Sequence, residues 1–313
     1  MMATSLPGGS RGPVRFRRWA PAFAGILVMF PGCATSQAPA TSAATPAPAP
    51  AQPSVPPAMQ WLYGSGEGGA SSIQAYHAFR DHVLAAARSR PRDAVVLAEG
   101  STLAAPRFVP CGDRPLAVVL DVDETAIQNL GYEYDEVVRG RSYDEEIWSR
   151  WERTGAAFVS PMPGAVTALR EIRAAGVAVI FNTNRLTRYA AQTEAALAGA
   201  GLGPARHGET LFLKGDDSAG SAKDGRRARI AARWCVVALA GDQLGDFSDL
   251  FNVRGLPVSE RRRAAVTAPF AGLWGNGWFM LSNPVYGPGI RGGVDDVFPA
   301  DRRWTDPGQG END

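Results

Sequence analysis

Apolar positions along this chain come in two patterns: short, nearly continuous runs that stop on polar clusters, and longer stretches with apolar residues at helical spacing. The sharpest run is Leu116-Ala117-Val118-Val119-Leu120, entered through Asp113-Arg114-Pro115 and ending on Asp121-Val122-Asp123-Glu124-Thr125. Its β-branched content and abrupt stop predict a buried parallel strand. Val177 to Phe181 predicts a second strand, ending on Asn182-Thr183-Asn184-Arg185. Leu211 to Leu213 predicts a short third, and Val236 to Ala240 a fourth that ends on Gly241-Asp242-Gln243-Leu244-Gly245-Asp246. Trp278 to Leu281 predicts a fifth.

Helical patterns fall between these runs. Ser71 or Ser72 is the candidate cap of a helix carrying Ile73, Tyr76, Phe79, Val83, Leu84 and Ala87, which ends by Pro91. Pro163-Gly164 opens a helix that runs to Ala175 and Gly176. Another spans about Leu186 to Ala200, and a basic one over 222–234 carries Lys223, Arg226, Arg227 and Arg229. Strands alternating with helices predict an α/β fold, a doubly wound parallel sheet with right-handed crossovers. Asn129 to Pro163 is too long for a plain strand-to-helix turn. Its acids and aromatics (Tyr132, Tyr134, Tyr143, Trp148, Trp151) predict a small, mainly helical cap over about 129–162, although ordinary amphipathic surface helices carry aromatics at the same spacing.

Composition changes the picture at the termini. With 313 residues and 45% hydrophobic content, the chain is long enough for one or two domains. A net charge of +1 implies no broad attraction to nucleic acid. Three cysteines exclude a disulfide scaffold or a zinc cluster, and His77, His82 and His207 show no metal-ligand spacing. Arg11, Arg15, Arg17 and Arg18 precede an apolar stretch, Ala20 to Phe30, too short to span a membrane, so 1–32 reads as a signal peptide. The ending Phe30-Pro31-Gly32-Cys33 resembles a bacterial lipobox and makes Cys33 the candidate lipidation site; an ordinary cysteine beside a signal-peptidase site is the alternative. Residues 33–58 are an Ala/Pro-rich spacer that would hold a folded domain (59–290) off a membrane surface, and 291–313 form a polar tail. The expected location is the outer membrane, as a lipoprotein, or the periplasm.

Open α/β sheets place ligands beyond the carboxyl ends of their strands. Three such ends carry polar clusters here: Asp-x-Asp-x-Thr, Thr-Asn-Arg and Gly-Asp-x-x-x-Asp, with Lys223 between the second and third. Two carboxylates two positions apart need a cation to stay ionised together. The set suits phosphoryl transfer: a carboxylate nucleophile splits the displacement into two steps. A second carboxylate can protonate the leaving oxygen and then activate water. Hydroxyl and amide donors hold phosphate oxygens, a lysine neutralises them, and acids hold magnesium.

The three clusters in this order resemble the haloacid dehalogenase (HAD) superfamily of phosphatases. More narrowly, Asp121-Val122-Asp123-Glu124-Thr125 with Asn129, Phe181-x-Thr183-Asn184-Arg185, Ser221-x-Lys223-x-x-Arg226 and Gly241-Asp242-x-Leu244-x-Asp246-Phe247 resemble class C acid phosphatases, bacterial surface lipoproteins of the lipoprotein e type. Trp61-Leu62-x-x-Ser65-Gly66-Glu67 and Met280-Leu281-x-Asn283-Pro284-x-Tyr286-Gly287 extend the likeness over roughly 60–290. The resemblance implies a HAD-like core that hydrolyses phosphomonoesters, nucleoside 5′-monophosphates foremost, at acidic pH with Mg2+ and through an aspartyl-phosphate. It implies Asp121 as nucleophile and metal ligand, and Asp123 as general acid/base with its carbonyl on the metal. It further implies Thr183, Asn184 and Lys223 as phosphate-binding, and Asp242 and Asp246 as metal-binding. Tyr286 and Tyr132 become candidates for stacking on a base. In the superfamily's sheet the strands after Cys111 and Cys235 are neighbours, which implies a disulfide between them. It also implies homodimers in some members. Gln128, Asn182 and the Gly/Ser-rich segment from Gly215 depart from the family's pattern, and Lys214 rivals Lys223 for the phosphate. A sugar or other small phosphomonoester is the alternative substrate; a surface lipoprotein that only binds a ligand is the alternative to an enzyme.

Overall fold

The computed structural model describes residues 53–306. The expected signal peptide, Cys33 and the spacer up to residue 52 lie outside the described residues. Among the described residues no helix is long and apolar enough to cross a membrane.

A short helix α1 (Pro57–Met59) runs into a wide turn (Gln60–Gly64), and after Ser65 comes the long α2 (Gly66–Ser89). The helix expected from Ser71 or Ser72 therefore starts earlier. Its cap is Ser65, whose Oγ accepts the Gly68 N–H at 2.9 Å. Gly68 is required there, because a Cβ would stand 2.3 Å from the Trp61 carbonyl oxygen. Glycine is a poor helix former, so this first turn carries no helical signal in the sequence.

Strands β1 (Asp93–Leu97) and β2 (Phe108–Pro110) form an antiparallel pair that the sequence reading treats as loop. Only Ala94 and Val96 of β1 are fully buried, and the connection to β2 has no two-residue hairpin signature. The rest of the chain runs β3 (Leu116–Leu120), β4 (Ile127–Gln128), α3 (Leu130–Arg139), α4 (Glu145–Thr154), β5 (Ser160–Pro161), α5 (Ala165–Ala174), β6 (Ala178–Leu186), α6 (Ala190–Gly199), β7 (Leu211–Lys214), α7 (Asp224–Arg233), β8 (Cys235–Gly241), α8 (Val258–Val266), β9 (Trp278–Met280) and α9 (Val294–Val297). Strand β6 does not end at Phe181. It continues through its polar residues because Asn182 pairs with Phe212 and Leu186 with Lys214. A 3-10 turn, Thr187–Tyr189, then delays α6 to Ala190.

The central sheet has five parallel strands in the order β7-β6-β3-β8-β9. From β3 the chain builds outward through β6 and β7, then returns across the sheet to build β8 and β9 on the other side. Right-handed crossovers put α5 and α6 on one face and α7 on the other. The reversal makes a crevice at the carboxyl end of β3, between β6 and β8, where such sheets bind ligands. Burial explains the short apolar runs: Ala117 to Leu120 and all of β8 are covered on both faces. An aromatic cluster backs the β9 edge, with Phe270 stacked on Trp278 at 5.5 Å and Trp274 and Phe247 edge-on. Cys111 and Cys235 form a disulfide with Cα atoms 4.7 Å apart, tying the entry of β3 to the start of β8.

Between β3 and α5 the chain leaves the sheet. Strands β4 and β5 pair antiparallel (Ile127 with Pro161, Gln128 with Ser160) and close the neck of an insert that contains α3 and α4. This insert stands over the crevice.

Candidate active site

Each strand end presents one part of the site. Asp121 follows β3, and its N–H still donates to Ala240 of β8 at 3.0 Å, so the ladder fixes its backbone. Lys223 immediately precedes α7. Asp249 caps that helix, accepting the N–H groups of Lys223 at 2.9 Å and Asp224 at 2.6 Å. The lysine Nζ, thus placed, donates to Oδ1 of Asp121 and Oδ1 of Asp246, each at 2.6 Å. Asn182, an unexpected polar residue within β6, is explained here: its Nδ2 approaches the Lys223 carbonyl at 3.4 Å.

Asp242 follows β8 and is oriented by three donors. Thr125 Oγ1 reaches its Oδ1 at 3.1 Å; Gln243 Nε2 and Asn283 Nδ2 reach its Oδ2 at 3.0 and 2.8 Å. Asp246 folds back on the strand end, accepting the Gln243 N–H at 2.9 Å. Only glycine fits at 241, since a Cβ would lie 2.3 Å from the Asp246 Cβ. Oxygens of Asp121, Asp242 and Asp246 lie within 4.8 Å of one another. Burial, with the neighbouring acids, raises Asp121 well above the carboxylate range despite Lys223. Burial and Asp246 push Asp242 up to about 7. Burial alone would lower Lys223, but Asp121 and Asp246 outweigh it and keep the ammonium charged. Three carboxylates around one ammonium leave the cluster short of positive charge. An all-oxygen donor set of this kind fits a hard divalent cation such as magnesium.

The second carboxylate has its own support. Asp123 Oδ1 accepts from Arg185 Nε (2.9 Å) and Nη2 (2.7 Å) and from Asn129 Nδ2 (2.9 Å). Arg185 Nη2 and Trp151 Nε1 of the cap both donate to Asn129 Oδ1, at 2.8 and 3.1 Å. Asn129 therefore links the acid, the arginine and the cap. Glu124, fully buried at φ 50°, accepts from the Asn129 N–H at 2.9 Å, from Tyr63 at 3.2 Å and from the Tyr286 hydroxyl at close range. A non-glycine residue in the left-handed region is uncommon and is held by such surroundings.

Asp121, Asp123, Asn184, Lys223, Asp242, Asp246, Tyr132 and Tyr286 all line one cavity of about 400 Å³. Thr183 does not: it is fully buried, and its Oγ1 accepts the Arg185 N–H at 3.1 Å. Asn184 reaches the wall with its amide committed, Nδ2 to the Ser221 carbonyl at 3.1 Å and Oδ1 to Arg226 at 2.7 Å. It fastens the loop that carries Lys223. Lys214 lines the cavity too, but Lys223 alone bonds the carboxylates. Tyr132 is only 5% exposed and packs edge-on against Trp148 at 4.9 Å, which makes it mainly a packing residue. Tyr143 and Trp148 join it on the cap wall, and Tyr143 is well exposed. Arg185, Glu124, Asp249 and Glu133 carry no role in the sequence reading. The first two sit inside its motifs; nothing local marks the other two.

A parallel sheet that reverses direction at an aspartate-bearing strand, under a helical insert, defines a HAD-type phosphatase. The chain matches the family described as HAD superfamily, subfamily IIIB (Acid phosphatase) over residues 73–289, and it belongs to that family. It is accordingly a phosphoric monoester hydrolase, which sets aside the reading as a lipoprotein that only binds. Two solved structures share the fold: class C acid phosphatase from Bacillus anthracis, and the same protein with tungstate bound. Both are 24% identical over 74% of this chain and 84% of that chain, with TM-scores of 0.57 and 0.58.

Proposed function

We propose that this acid phosphatase is an exported, magnesium-dependent enzyme that hydrolyses nucleoside 5′-monophosphates through an aspartyl-phosphate. The carrying observation is that the carboxylates of Asp121, Asp242 and Asp246 converge within 4.8 Å of one another, with Lys223 bonded to Asp121 and Asp246, beneath an aromatic cap wall.

Lys223 holds Oδ1 of Asp121 and leaves Oδ2 for attack on phosphorus. The Asp121 O–P bond forms as the bond to the leaving oxygen breaks, and Asp123 delivers its proton to that oxygen. The ionised Asp123 then takes a proton from water, whose oxygen displaces Asp121 and releases phosphate. Arg185 and Asn129 grip mainly Oδ1 of Asp123, so Oδ2 is the oxygen that moves the proton. Thr183 lies buried beside the cavity and accepts the Arg185 N–H, while Asn184 lines the cavity and fixes the lysine loop. Magnesium, when held by Asp121, Asp242 and Asp246, supplies charge that offsets repulsion between an anionic nucleophile and an anionic substrate. The aromatic groups facing the cavity, Tyr286 on the core side and Tyr143 and Trp148 on the cap, give a planar base a stacking surface. The Cys111–Cys235 disulfide supports an oxidising compartment, in line with the signal peptide and the candidate lipid anchor at Cys33.

Phosphate release from a nucleoside 5′-monophosphate and from an aryl phosphate, with and without magnesium, tests this in wild type and Asp121→Asn. The expected result is magnesium-dependent release from both, faster from the nucleotide, and a loss of at least about 10⁴-fold in the variant. Equal rates in wild type and variant would overturn the assignment of the nucleophile. Turnover of the aryl ester without the nucleotide would overturn the substrate.

A further inference from the structure

The cavity has two unlike ends. One is the carboxylate–lysine cluster. The other is a cap wall lined by Glu133, Glu136, Glu145 and Glu152. A run of glutamates is ordinarily a solvated helix face, but Glu133 is not solvated. It is 5% exposed, and its Oε2 is buried with no hydrogen-bond partner. It borders the cavity on one side and the groove under Trp61 and Tyr63 on the other. By contrast, Glu152, equally buried in the same wall, has Oε1 bonded to Trp148 Nε1 at 2.8 Å and Oε2 to the Leu186 N–H at 3.0 Å. A buried acceptor without a donor is costly to keep. Its neighbours do not repair this: Glu124 and Glu136 are themselves acids, the Tyr63 hydroxyl is given to Glu124, and the Tyr132 hydroxyl makes no hydrogen bond to it. The cavity that Glu133 lines is the route by which a donor can reach it.

We propose that the cap end of the active cavity is a leaving-group subsite centred on Glu133, which selects phosphomonoesters whose alcohol carries hydrogen-bond donors and rejects those that carry a second phosphate. The inference rests on the phosphatase site described above, which fixes where the reacting phosphate sits and so what faces the cap. A hydroxyl pair or an ammonium supplies the donors that Glu133 lacks. A second phosphate brings only acceptors and negative charge to a wall of four carboxyls. A site built to bond a donor discriminates strongly against the analogue without it, since its own polar group is left unpaired.

The test measures kcat/KM of the full chain, its Glu133→Leu variant and its Glu133→Gln variant on five substrates. These are a nucleoside 5′-monophosphate, its 2′,3′-dideoxy analogue, its 3′,5′-bisphosphate, phosphoethanolamine and an aryl phosphate without donors. Wild type is expected to prefer the donor-bearing ester over its analogue by about 10-fold or more, the range for leaving a buried polar group unpaired. Glu133→Leu should erase that preference and raise relative turnover of the bisphosphate, while Glu133→Gln, which keeps an acceptor oxygen, retains part of it. Loss confined to the dideoxy comparison identifies hydroxyls as the donors; loss confined to phosphoethanolamine identifies an ammonium. A parallel fall on all five substrates, or no donor preference in wild type alongside good aryl phosphate turnover, would overturn the subsite and leave the phosphatase intact. Failure of wild type on every substrate would overturn both.

Discussion

At the sheet end of the cavity, each functional carboxylate has a hydrogen-bond donor. Lys223 bridges Asp121 and Asp246, three donors orient Asp242, and Arg185 with Asn129 holds Asp123. At the cap end, a few residues away across the same cavity, Glu133 is buried with no donor at all. The first end is built by backbone: strand ladders and a capped helix fix where each functional group stands, so its donors are in place before substrate arrives. The second end is built by side chains of two short helices that dock through side-chain contacts, Trp151 to Asn129 to Arg185, Glu152 to the Leu186 N–H and Ser149 to Tyr189. A preorganised end suits the reacting phosphoryl group, which every substrate shares. An end left short of donors suits the part that varies.

After loss of the nucleophile itself, the largest effect is expected from removing the fixed cation of the sheet end. Lys223→Met leaves three buried carboxylates with no ammonium among them, so kcat/KM should fall by about 10³-fold. The same variant should gain more thermal stability from added magnesium than wild type does, because an unmatched buried charge is what a bound cation relieves. Differential scanning fluorimetry across a magnesium series reads this independently of turnover. Equal shifts in both proteins would show that Lys223 and the cation do not share one cluster of charge. A smaller effect is expected from Arg185→Met, which strips two donors from Asp123 and one from Asn129. Misorienting a general acid/base costs about 10²-fold, here in kcat with KM little changed. Arg185→Lys, with charge but no two-nitrogen fork, should fall between. A rise in KM with kcat intact would move Arg185 from orienting the acid to binding substrate.

The contrast between the two ends also decides what could be read from the sequence. The strands that carry Asp121, Asp123, Asp242 and Asp246 are short β-branched runs that stop on acids, and their side-chain placement follows from the strand end alone. The disulfide followed from which strands of such a sheet are neighbours. Lys223 shared its interval between two of these ends with Lys214, and the match to the Ser-x-Lys-x-x-Arg pattern separated the two. Thr183 and Asn184 were found as residues but not as contacts: β6 continues past Phe181, which buries Thr183 and turns the Asn184 amide onto Ser221. Arg185 stood in a recognised cluster, yet its partner is 62 positions away, and only the β3–β6 pairing brings them together. In the cap, spacing offered five aromatics and no means to tell which turn inward. Tyr132 proved to be packed while Tyr134 on the same helix is exposed, because the rotation of α3 about its axis is set by packing against Trp148 of α4, not by local sequence. Glu133 was invisible for the same reason. On α4 the same residue type is an exposed charge at Glu146.

The smallest effect concerns Glu133 itself, and its sign is fixed by proton linkage. Burial, with Glu124 and Glu136 beside it, pushes the Glu133 carboxyl from its ordinary 4.5 up to about 8. The other groups that sense its charge are the Tyr63 and Tyr132 hydroxyls, both raised by burial first. Between those two values the native state holds a proton that the unfolded chain has released, so the native state loses stability as pH rises through the window. Glu133→Gln carries no titrating proton and escapes that loss. Its stability relative to wild type should therefore improve from pH 5 to pH 7 by about 2 kcal/mol, since each unit of pH inside the window is worth about 1.4 kcal/mol. Any fixed packing difference between the two side chains cancels when the two pH values are compared. Urea unfolding of both proteins at each pH measures the difference. A gap that stays constant would mean that Glu133 has found a donor in solution, and that the two ends of the cavity are matched alike. A gap that widens at high pH and closes when a donor-bearing phosphomonoester or its leaving alcohol is added would tie the unpaired carboxyl to the substrate it waits for.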